Sequence, residues 1–281
     1  MHIVAPPDLI KEYTRLYEGE RYPDGRPRVS DDILERMKPV TTEEAWGVLR
    51  RNGYNFQFEG GWFRTHPGRI LVGRAVTTVF VPRRPDLHEL VEEVGLGEGR
   101  IGGQNSWVID TLETGDVMVV DLFVKIKDGT FVGDNLATSV RTRTKAGAVI
   151  DGGIRDYQGI MHMDDLAIFC RGVDPSAILD TTLLSINLPM CLGETTVMPG
   201  DVILGTPSGI MFIPAHLAQA VVERSEDIRV RDYFGKLRLT QKVYTPGEID
   251  RKWSDEIQAD FENWVEEQKK AGIDPLELAS N

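Results

Sequence analysis

The chain has 281 residues, 41% of them hydrophobic, and a formal net charge of -12 at neutral pH. This length and composition predict one large folded domain with additional segments and exclude a mostly disordered chain. A pI near 5.0, with basic residues scattered along the sequence, argues against nucleic acid as a partner. No apolar run approaches the roughly 20 residues of a membrane-spanning helix, so we expect no membrane span.

Residues 1–40 are rich in charge, proline and glycine, with amphipathic patches around Leu9 to Leu16 and Ile33 to Met37. We interpret them as an N-terminal extension that packs against another surface, a neighbouring subunit being one candidate. The start, MHIVAPPDLIKEY, lacks the basic flank and apolar stretch of a secretory signal, which predicts a cytoplasmic location. A helix is then predicted to begin at Thr42, whose hydroxyl precedes two glutamates and apolar residues at helical spacing.

From Ile70 onward, short β-type runs alternate with helical stretches. This alternation predicts an α/β domain, which we place at residues 41–225. Residues 226–281 form a predicted C-terminal tail with an amphipathic helix. The apolar stripe of that helix consists of Trp253, Ile257, Phe261 and Trp264. Such a stripe is typical of internal packing or of a subunit contact.

The cysteines and histidines show no metal-ligand spacing. Cys170 and Cys191 stand in apolar surroundings without a CxxC motif, so we interpret both as reduced core thiols. We interpret the histidines as surface or packing residues. His162, which follows shortly after Arg155 and Asp156, is the exception and is a candidate contact for the far end of a substrate.

An arginine and an aspartate follow a predicted buried strand in the run GAVIDGGIRD. The strand begins at Gly147, and Gly152 and Gly153 are predicted to form a sharp turn that brings the backbone close to a small ligand. Arg155 and Asp156 would then stand on a rigid support at a strand end, where α/β folds place their chemistry. Because adjacent side chains point in different directions, one could bind an anion and the other a cation.

A second acidic position stands upstream, where Asp134 follows a strand-like edge and a glycine at the predicted start of a helix. Free amides at that start, at Asn135 and Leu136, are a natural carboxylate site. A carboxylate beside an anion site is unfavourable unless a cation lies between them, which indicates a hard divalent ion. Helix capping and surface ion pairing would also account for these residue types.

The stretch GDNLATSVRTRTKAGAVIDGGIRD resembles the signature of the RraA-like family, which includes the class II aldolases of 4-hydroxy-4-methyl-2-oxoglutarate and 4-carboxy-4-hydroxy-2-oxoadipate. In that signature, twenty residues separate an aspartate from an Arg-Asp pair, as they separate Asp134 from Arg155 and Asp156 here. Supporting similarity covers about residues 41 to 215. The resemblance implies an α/β fold of the swivelling β/β/α type, with the N-terminal extension and the C-terminal helical tail outside the common core. It also implies assembly as a homotrimer or homohexamer.

The resemblance further implies a role for each site residue. Asp156 would bind Mg²⁺ or Mn²⁺, and Arg155 would stabilise the negative charge on a pyruvate enolate. Asp134 would orient metal-bound water for proton transfer. The amides of Asn135 and Leu136 would hold the carboxylate of a 2-oxo acid substrate. The function implied is a divalent-metal-dependent lyase that cleaves a 4-hydroxy-2-oxo acid by retro-aldol chemistry and can decarboxylate oxaloacetate through the same enolate.

Other functions remain to be compared with the lyase. Some members of the RraA-like family bind and inhibit a ribonuclease without catalysis, but the complete set of Asp134, Arg155 and Asp156 favours the lyase, because a binding surface needs no metal site. A methyltransferase is disfavoured because no glycine-rich nucleotide loop follows the first strand. Gln104 and Ser208 stand where aldolase members usually or often have acidic residues. These departures concern the substrate and leave the metal motif intact.

Overall fold

The structure is a computed structural model that describes residues 1–280; residue 281, the end of the predicted tail, lies outside them. Helices cover both ends of the chain and the segments between strands. They are α1 (Pro7–Tyr13), α2 (Asp31–Met37), α3 (Thr42–Arg51), α4 (Pro85–Gly97), α5 (Gln104–Ile109), α6 (Asp134–Thr144), α7 (Tyr157–Ile160), a 3₁₀ turn (Ala215–Leu217), α8 (Ala218–Thr240), α9 (Pro246–Ile249), α10 (Asp255–Lys270) and α11 (Pro275–Ser280). Within the described residues, no helix is both long enough and apolar enough to cross a membrane.

The strands lie between α3 and the 3₁₀ turn. They are β1 (Phe58–Glu59), β2 (Phe63–Arg64), β3 (Leu71–Pro82), β4 (Asp116–Val132), β5 (Gly147–Ile154), β6 (Ala167–Val173), β7 (Thr181–Ile186), β8 (Met190–Leu192), β9 (Thr195–Val197), β10 (Val202–Thr206) and β11 (Gly209–Ile213). In residues 1–280 these strands form a nine-stranded sheet, in the order β1-β11-β10-β3-β4-β5-β6-β2 with β7 also paired to β3, and a separate β8-β9 hairpin.

The centre of the large sheet is parallel and its flanks are antiparallel. β3, β4, β5 and β6 run parallel to one another, whereas β10, β11 and β7 pair in antiparallel register. All eight residues of β5 are buried, as expected for a parallel strand that is covered on both faces. This mixed sheet with C-terminal helices confirms the predicted α/β class.

Two layers of apolar side chains cover the sheet. On one face, Val120 and Ile150 pack with Trp107 of α5 and with the inner residues of α6 and α7. On the same face, α2, α3 and α8 cover β10 and β11, and on the other face Val119 and Val149 pack against the β8-β9 hairpin. Val132 and Ile154, the last residues of β4 and β5, pack in the first of these layers.

The N-terminal segment packs on the sheet of its own chain. Ile3 is fully buried in the main core, and the Arg26 guanidinium forms two hydrogen bonds with the Asp116 carboxylate, at 2.9 and 3.2 Å. Both of these charged residues are at most 1% exposed. Arg74 on β3 also donates to the Val29 carbonyl at 2.6 Å. Within its own chain, the predicted extension packs against the start of β3 and β4.

The first helix of the predicted domain is capped one residue earlier than the sequence predicted. The Thr41 hydroxyl accepts from the Glu44 N–H at 3.2 Å, and the Glu44 carboxylate accepts from the Thr41 N–H at 2.8 Å. Thr42 is instead buried, with its hydroxyl 2.7 Å from that of Thr206. The capping motif was correctly recognised, but tertiary contacts decide which threonine supplies the cap.

The two cysteines differ in environment. Cys170 is buried as predicted, and burial raises the pKa of its thiol to about 12. Cys191 is exposed, so its assignment as a core thiol was wrong. It occupies the middle of β8, whose two other residues are buried, and alternation along a strand turns its side chain outward.

The C-terminal helices pack on one another through an aromatic cluster. α8 is continuous across the predicted domain boundary at 225, so no break in secondary structure marks that position. The Phe234 ring on α8 contacts the rings of Trp253, Phe261 and Trp264, with centroids 5.4–5.7 Å apart. The predicted aromatic stripe therefore packs within the chain, and Trp253 lies just before α10.

Asp201, just before β10, is a buried carboxylic acid without a counter-ion. It is 3% exposed, and its Oδ2 accepts from the Met198 N–H at 2.9 Å. Among the described residues, no cation forms a salt bridge with it. Burial raises its pKa to about 8, and backbone hydrogen bonds from Met198 and Ala215 partly oppose that rise. Asp201 is therefore predominantly protonated at neutral pH.

We expect Arg26→Met to lower the free energy of unfolding by about 3–5 kcal/mol, because it leaves the buried Asp116 carboxylate unpaired. Urea denaturation measures the change. The matched control is Arg84→Met, which removes an exposed arginine 2.8 Å from Asp86 and should cost less than about 1 kcal/mol. Equal losses in the two variants would contradict a stabilising role for the buried pair.

We expect Asp201→Asn to flatten the pH dependence of stability. Since the folded-state pKa of Asp201 lies above its unfolded value of 3.8, its contribution is fully present below about pH 4 and declines as pH rises toward 8. Asparagine cannot ionise, so the variant should gain stability relative to the parent chain between pH 5 and pH 8.5, by at least about 1 kcal/mol. Denaturation curves at both pH values measure this gain, and a constant difference would refute the assignment.

Candidate active site

The candidate site forms where β4 and β5 end side by side. Val132 and Ile154 are paired residues at the ends of these parallel strands, and the Arg155 N–H donates to the Val132 carbonyl at 3.0 Å. Asp134 begins α6 one residue beyond Gly133, and Asp156 directly precedes α7. Residues far apart in sequence thus meet at one edge of the sheet.

Two glycines make room for the carboxylates. A Cβ atom on Gly133 would lie 2.2 Å from Asp156 Oδ2 and 3.0 Å from Arg155 Nε. A Cβ atom on Gly159 would lie 2.9 Å from Asp134 Oδ2. Each aspartate therefore contacts a glycine beside the other aspartate. Any larger residue at either glycine would force these carboxylates to shift.

Arg155 and Asp156 form a loose pair. The Arg155 Nε lies 3.5 Å from Asp156 Oδ2, beyond the usual range of a hydrogen bond, and the two side chains are 43% and 48% exposed. Such exposed pairs contribute at most about 1 kcal/mol to stability. Both groups therefore retain hydrogen-bonding capacity for a ligand, and stability alone does not account for their position.

The sharp turn lies at Asp156 and not at the glycines. Asp156 has φ +53°, in the left-handed region that aspartate tolerates better than most residues. Gly152 and Gly153 instead belong to β5, so the predicted turn at these positions was wrong. A Cβ on Gly152 would lie 2.9 Å from the Lys125 carbonyl oxygen, and one on Gly153 would lie 2.7 Å from that of Ile126. Glycine is needed there because the β4 backbone approaches closely.

The start of α6 is only partly available as an anion site. In the described part of the chain, the N-cap residue of this helix makes no side-chain hydrogen bond to the first amides of the helix. The Asn135 N–H, however, donates to Asp134 Oδ1 at 2.8 Å. A carboxylate bound at Asn135 would have to compete with that hydrogen bond. Leu136 also lies in this first turn, and its side chain packs against the main core.

The donor set suits a hydrated magnesium-type ion better than a fully protein-ligated one. Within residues 1–280, no three His, Cys, Asp or Glu side chains converge to hold a metal. Mg²⁺ commonly retains several waters and binds one or two carboxylates, and its ligands are oxygen atoms. Asp134 and Asp156, each in contact with a glycine near the other, supply carboxylate oxygens of the kind that such an ion binds.

Gln104 and Ser208 lie away from the three site residues, and His162 follows α7 close to them. Gln104 donates to Glu92 Oε1 and accepts from the Leu183 N–H, both at 2.6 Å, so its side chain ties α5 to α4 and β7. Ser208 lies in the β10-β11 turn, at the opposite end of the sheet from Asp134. His162 is exposed, and its Nδ1 is 2.7 Å from the Gln158 carbonyl oxygen.

Sequence reasoning missed the parts played by Gly133, Gly159 and Asn105. The Asn105 side-chain amide donates to the Phe131 carbonyl at 2.9 Å and thereby holds the end of β4 just before the site. Gly133 stands next to Asp134 in the sequence, but its contact partner is twenty-three residues away, at Asp156. Nothing in the local sequence identifies that contact.

Two aspartates and an arginine lie at the ends of neighbouring parallel strands, and comparison with known proteins shows the family and the fold. The RraA-like family model, described as Aldolase/RraA, matches residues 28–212. The chain therefore belongs to the RraA-like family, as the sequence resemblance predicted. The match begins inside the predicted N-terminal extension.

Two similar proteins show sequence likeness over different lengths. A Halalkalibacterium halodurans protein named "Putative 4-hydroxy-4-methyl-2-oxoglutarate aldolase" is 31% identical over 129 residues, which cover 46% of this chain and 60% of that protein. Protein DlpA of Legionella pneumophila is 25% identical over 205 residues, which cover 72% of this chain and 30% of DlpA. The chain thus spans less than two thirds of the length of either relative.

Solved structures confirm the fold prediction. An uncharacterised protein from Pseudomonas syringae pv. tomato superposes with a TM-score of 0.66 at 21% identity, covering 83% of this chain and 99% of that one. Streptomyces coelicolor RraAS2, described as an unusual member of the RNase ES inhibitor RraA family, superposes with a TM-score of 0.64 at 23% identity, covering 76% and 98%. At these identities the likeness shows the fold alone.

We expect Gly133→Ala to displace the Asp156 carboxylate while the fold is retained. Gly133 has φ -103°, which alanine adopts freely, so the 2.2 Å contact is the obstacle. Normal contact distances require a movement of about 1 Å or more, measurable in a crystal structure of the variant. Gly97→Ala is the matched control, because nothing lies within 4 Å of a Cβ at that position. An unmoved Asp156 in Gly133→Ala would contradict the described packing.

Proposed function

We propose that this protein is a divalent-metal-dependent class II aldolase that cleaves a 4-hydroxy-2-oxo acid to pyruvate and a second carbonyl compound. The observation that supports the proposal is the convergence of Asp134, Arg155 and Asp156 at the ends of β4 and β5, where Gly133 and Gly159 leave space for the carboxylates. Decarboxylation of oxaloacetate through the same pyruvate enolate forms part of the proposal.

Asp156 would hold Mg²⁺ or Mn²⁺, with the Asp134 carboxylate beside it. The chemistry that such an ion supplies is Lewis-acid withdrawal of electron density from a 2-oxo group. Asp156 is exposed and paired only loosely with Arg155. Binding a metal ion would therefore break few hydrogen bonds within the protein. The excess of two carboxylates over one guanidinium also favours a cation at this edge of the sheet.

In the proposed reaction the bond between C3 and C4 of the substrate breaks. The 4-hydroxyl group loses its proton, C4 becomes a carbonyl carbon, and the electron pair of the broken bond passes into the enolate of pyruvate. Protonation at C3 then completes pyruvate. Arg155 would stabilise the enolate oxygen, because a guanidinium placed in advance lowers the energy of the charge that develops there.

Asp134 would orient a water molecule for these proton transfers. The amides of Asn135 and Leu136 would hold the substrate carboxylate at the start of α6, which the partial positive charge of a helix N-terminus favours. Exchange of the Asn135 hydrogen bond from Asp134 to the substrate would couple substrate binding to the position of the Asp134 carboxylate. Assembly as a homotrimer or homohexamer and a cytoplasmic location belong to the same proposal.

The test measures pyruvate release from oxaloacetate and from 4-hydroxy-4-methyl-2-oxoglutarate in the presence of Mg²⁺ or Mn²⁺. We expect Asp156→Ala and Arg155→Ala to slow release by about a hundredfold or more, since each removes one stabilising group at the reacting oxygen or its ion. Removal of the metal with EDTA should abolish release, and added Mg²⁺ should restore it.

The matched control is Asp86→Ala, which removes an exposed aspartate beside an exposed arginine on α4 and should leave the rate unchanged. The rate without protein is subtracted, because free divalent ions decarboxylate oxaloacetate slowly. Undiminished pyruvate release in Asp156→Ala would refute the proposed site. Absence of release from both substrates, together with binding to a ribonuclease, would favour the family's regulatory function instead.

A further inference from the structure

A cavity of about 330 Å³ lies between the N-terminal segment and the sheet. The N-terminal segment contributes Tyr13 and Tyr17 to its walls. The rest of the domain contributes Tyr54, which follows α3, and His216 in the 3₁₀ turn. A cavity of about 150 Å³ is enough to hold benzene in a protein core, so this one can hold one or two aromatic rings.

The cavity shares no lining residue with the candidate active site, and β3 separates β10 and β11 from β4 in the sheet. Val202, beside the cavity residue Asp201, pairs with Arg74, and Arg74 pairs with the first residue of β4. The candidate active site follows the last residue of β4. The walls from the N-terminal segment also precede residue 28, where the family match begins. The cavity is thus a feature that the matched segment alone would not form.

Three tyrosines and one histidine line the cavity, together with threonine, glutamine and apolar side chains and one buried aspartate, Asp201. In the described part of the chain no lysine, arginine or glutamate lines it. The hydroxyl group of Tyr54 lies 3.2 Å from His216 Nε2, so a hydrogen-bonding pair faces an otherwise largely apolar space. Burial lowers the pKa of His216 and raises that of Asp201 to about 8, and each shift favours the neutral form of its group.

We propose that this cavity binds a small neutral aromatic molecule that carries a hydroxyl group. Its ring would lie against the tyrosine walls, and its hydroxyl group would bond to the pair formed by Tyr54 and His216. An anion would lose its hydration without meeting a cation, which is strongly unfavourable. Leu16 and Tyr13, 61% and 48% exposed, form the open side through which a ligand enters. The proposal does not depend on the aldolase function.

The test uses three probes with the same ring. Their binding to the intact protein is measured by titration with fluorine NMR detection. 4-Fluorophenol carries the hydroxyl group, 4-fluorobenzoate replaces it with a carboxylate, and fluorobenzene lacks a polar substituent. We expect saturable binding of 4-fluorophenol, at least about tenfold tighter than that of 4-fluorobenzoate. Equal binding of these two probes, or no saturable binding of 4-fluorophenol, would overturn the proposal.

Variants locate the binding. Tyr54→Phe and His216→Phe should each weaken 4-fluorophenol about fivefold, the value of one neutral hydrogen bond, and change fluorobenzene binding less than about twofold. Leu16→Trp should obstruct the open side and weaken both probes. Its control is Leu96→Trp on α4, where leucine is 67% exposed and remote from the cavity. If 4-fluorophenol binds Leu16→Trp and both hydrogen-bond variants as tightly as the parent chain, the cavity is not its site.

Discussion

Close approach of the backbones of β4 and β5 is the constraint on which the rest of this structure depends. A Cβ on Gly152 would come within 2.9 Å of the Lys125 carbonyl oxygen, so the irregular second half of β4 can lie over β5 only because glycine stands there. That approach brings both strands to an end at neighbouring positions. Gly133 is required in the site for a similar steric reason. The Asp156 carboxylate lies where a side chain at position 133 would exclude it.

The pairing of charges separates structural carboxylates from those of the candidate site. Asp116 is buried against Arg26, and Asp151 accepts from Arg171 Nε at 2.6 Å. Asp134 and Asp156 have no comparably close guanidinium among the described residues. The net charge of the chain, -12, conveys none of this distribution. What distinguishes the site is that Asp156 is exposed, Asp134 is half-buried and both are weakly paired, while the arginines of the core bind other acids.

Much of the fold could be predicted from the sequence, because it depends on short-range patterns, and the structure brings the predicted site residues Asp134, Arg155 and Asp156 to neighbouring strand ends. Buried parallel strands such as β5 appear as continuous apolar runs, and the fixed spacing between Asp134 and Arg155 identified the residues that meet at the strand ends. The turn predicted at Gly152 failed for a different reason. In a sequence, a glycine required by the close approach of a neighbouring strand cannot be told from a glycine required by a turn. Only the tertiary contacts distinguish the two cases. The exposure of Cys191 likewise depended on the register of a three-residue strand.

The continuous course of α8 has a consequence for how the C-terminal helices are held. The first turns of this helix bury Ala218, Val221 and Val222 against the domain, and its later turns carry Phe234 and the bidentate pair of Arg238 with Asp260 on α10. Because α8 is one continuous helix, no loop interrupts the backbone between these two regions. The C-terminal helices are therefore joined to the sheet domain through a continuous helix and through the aromatic packing around Phe234.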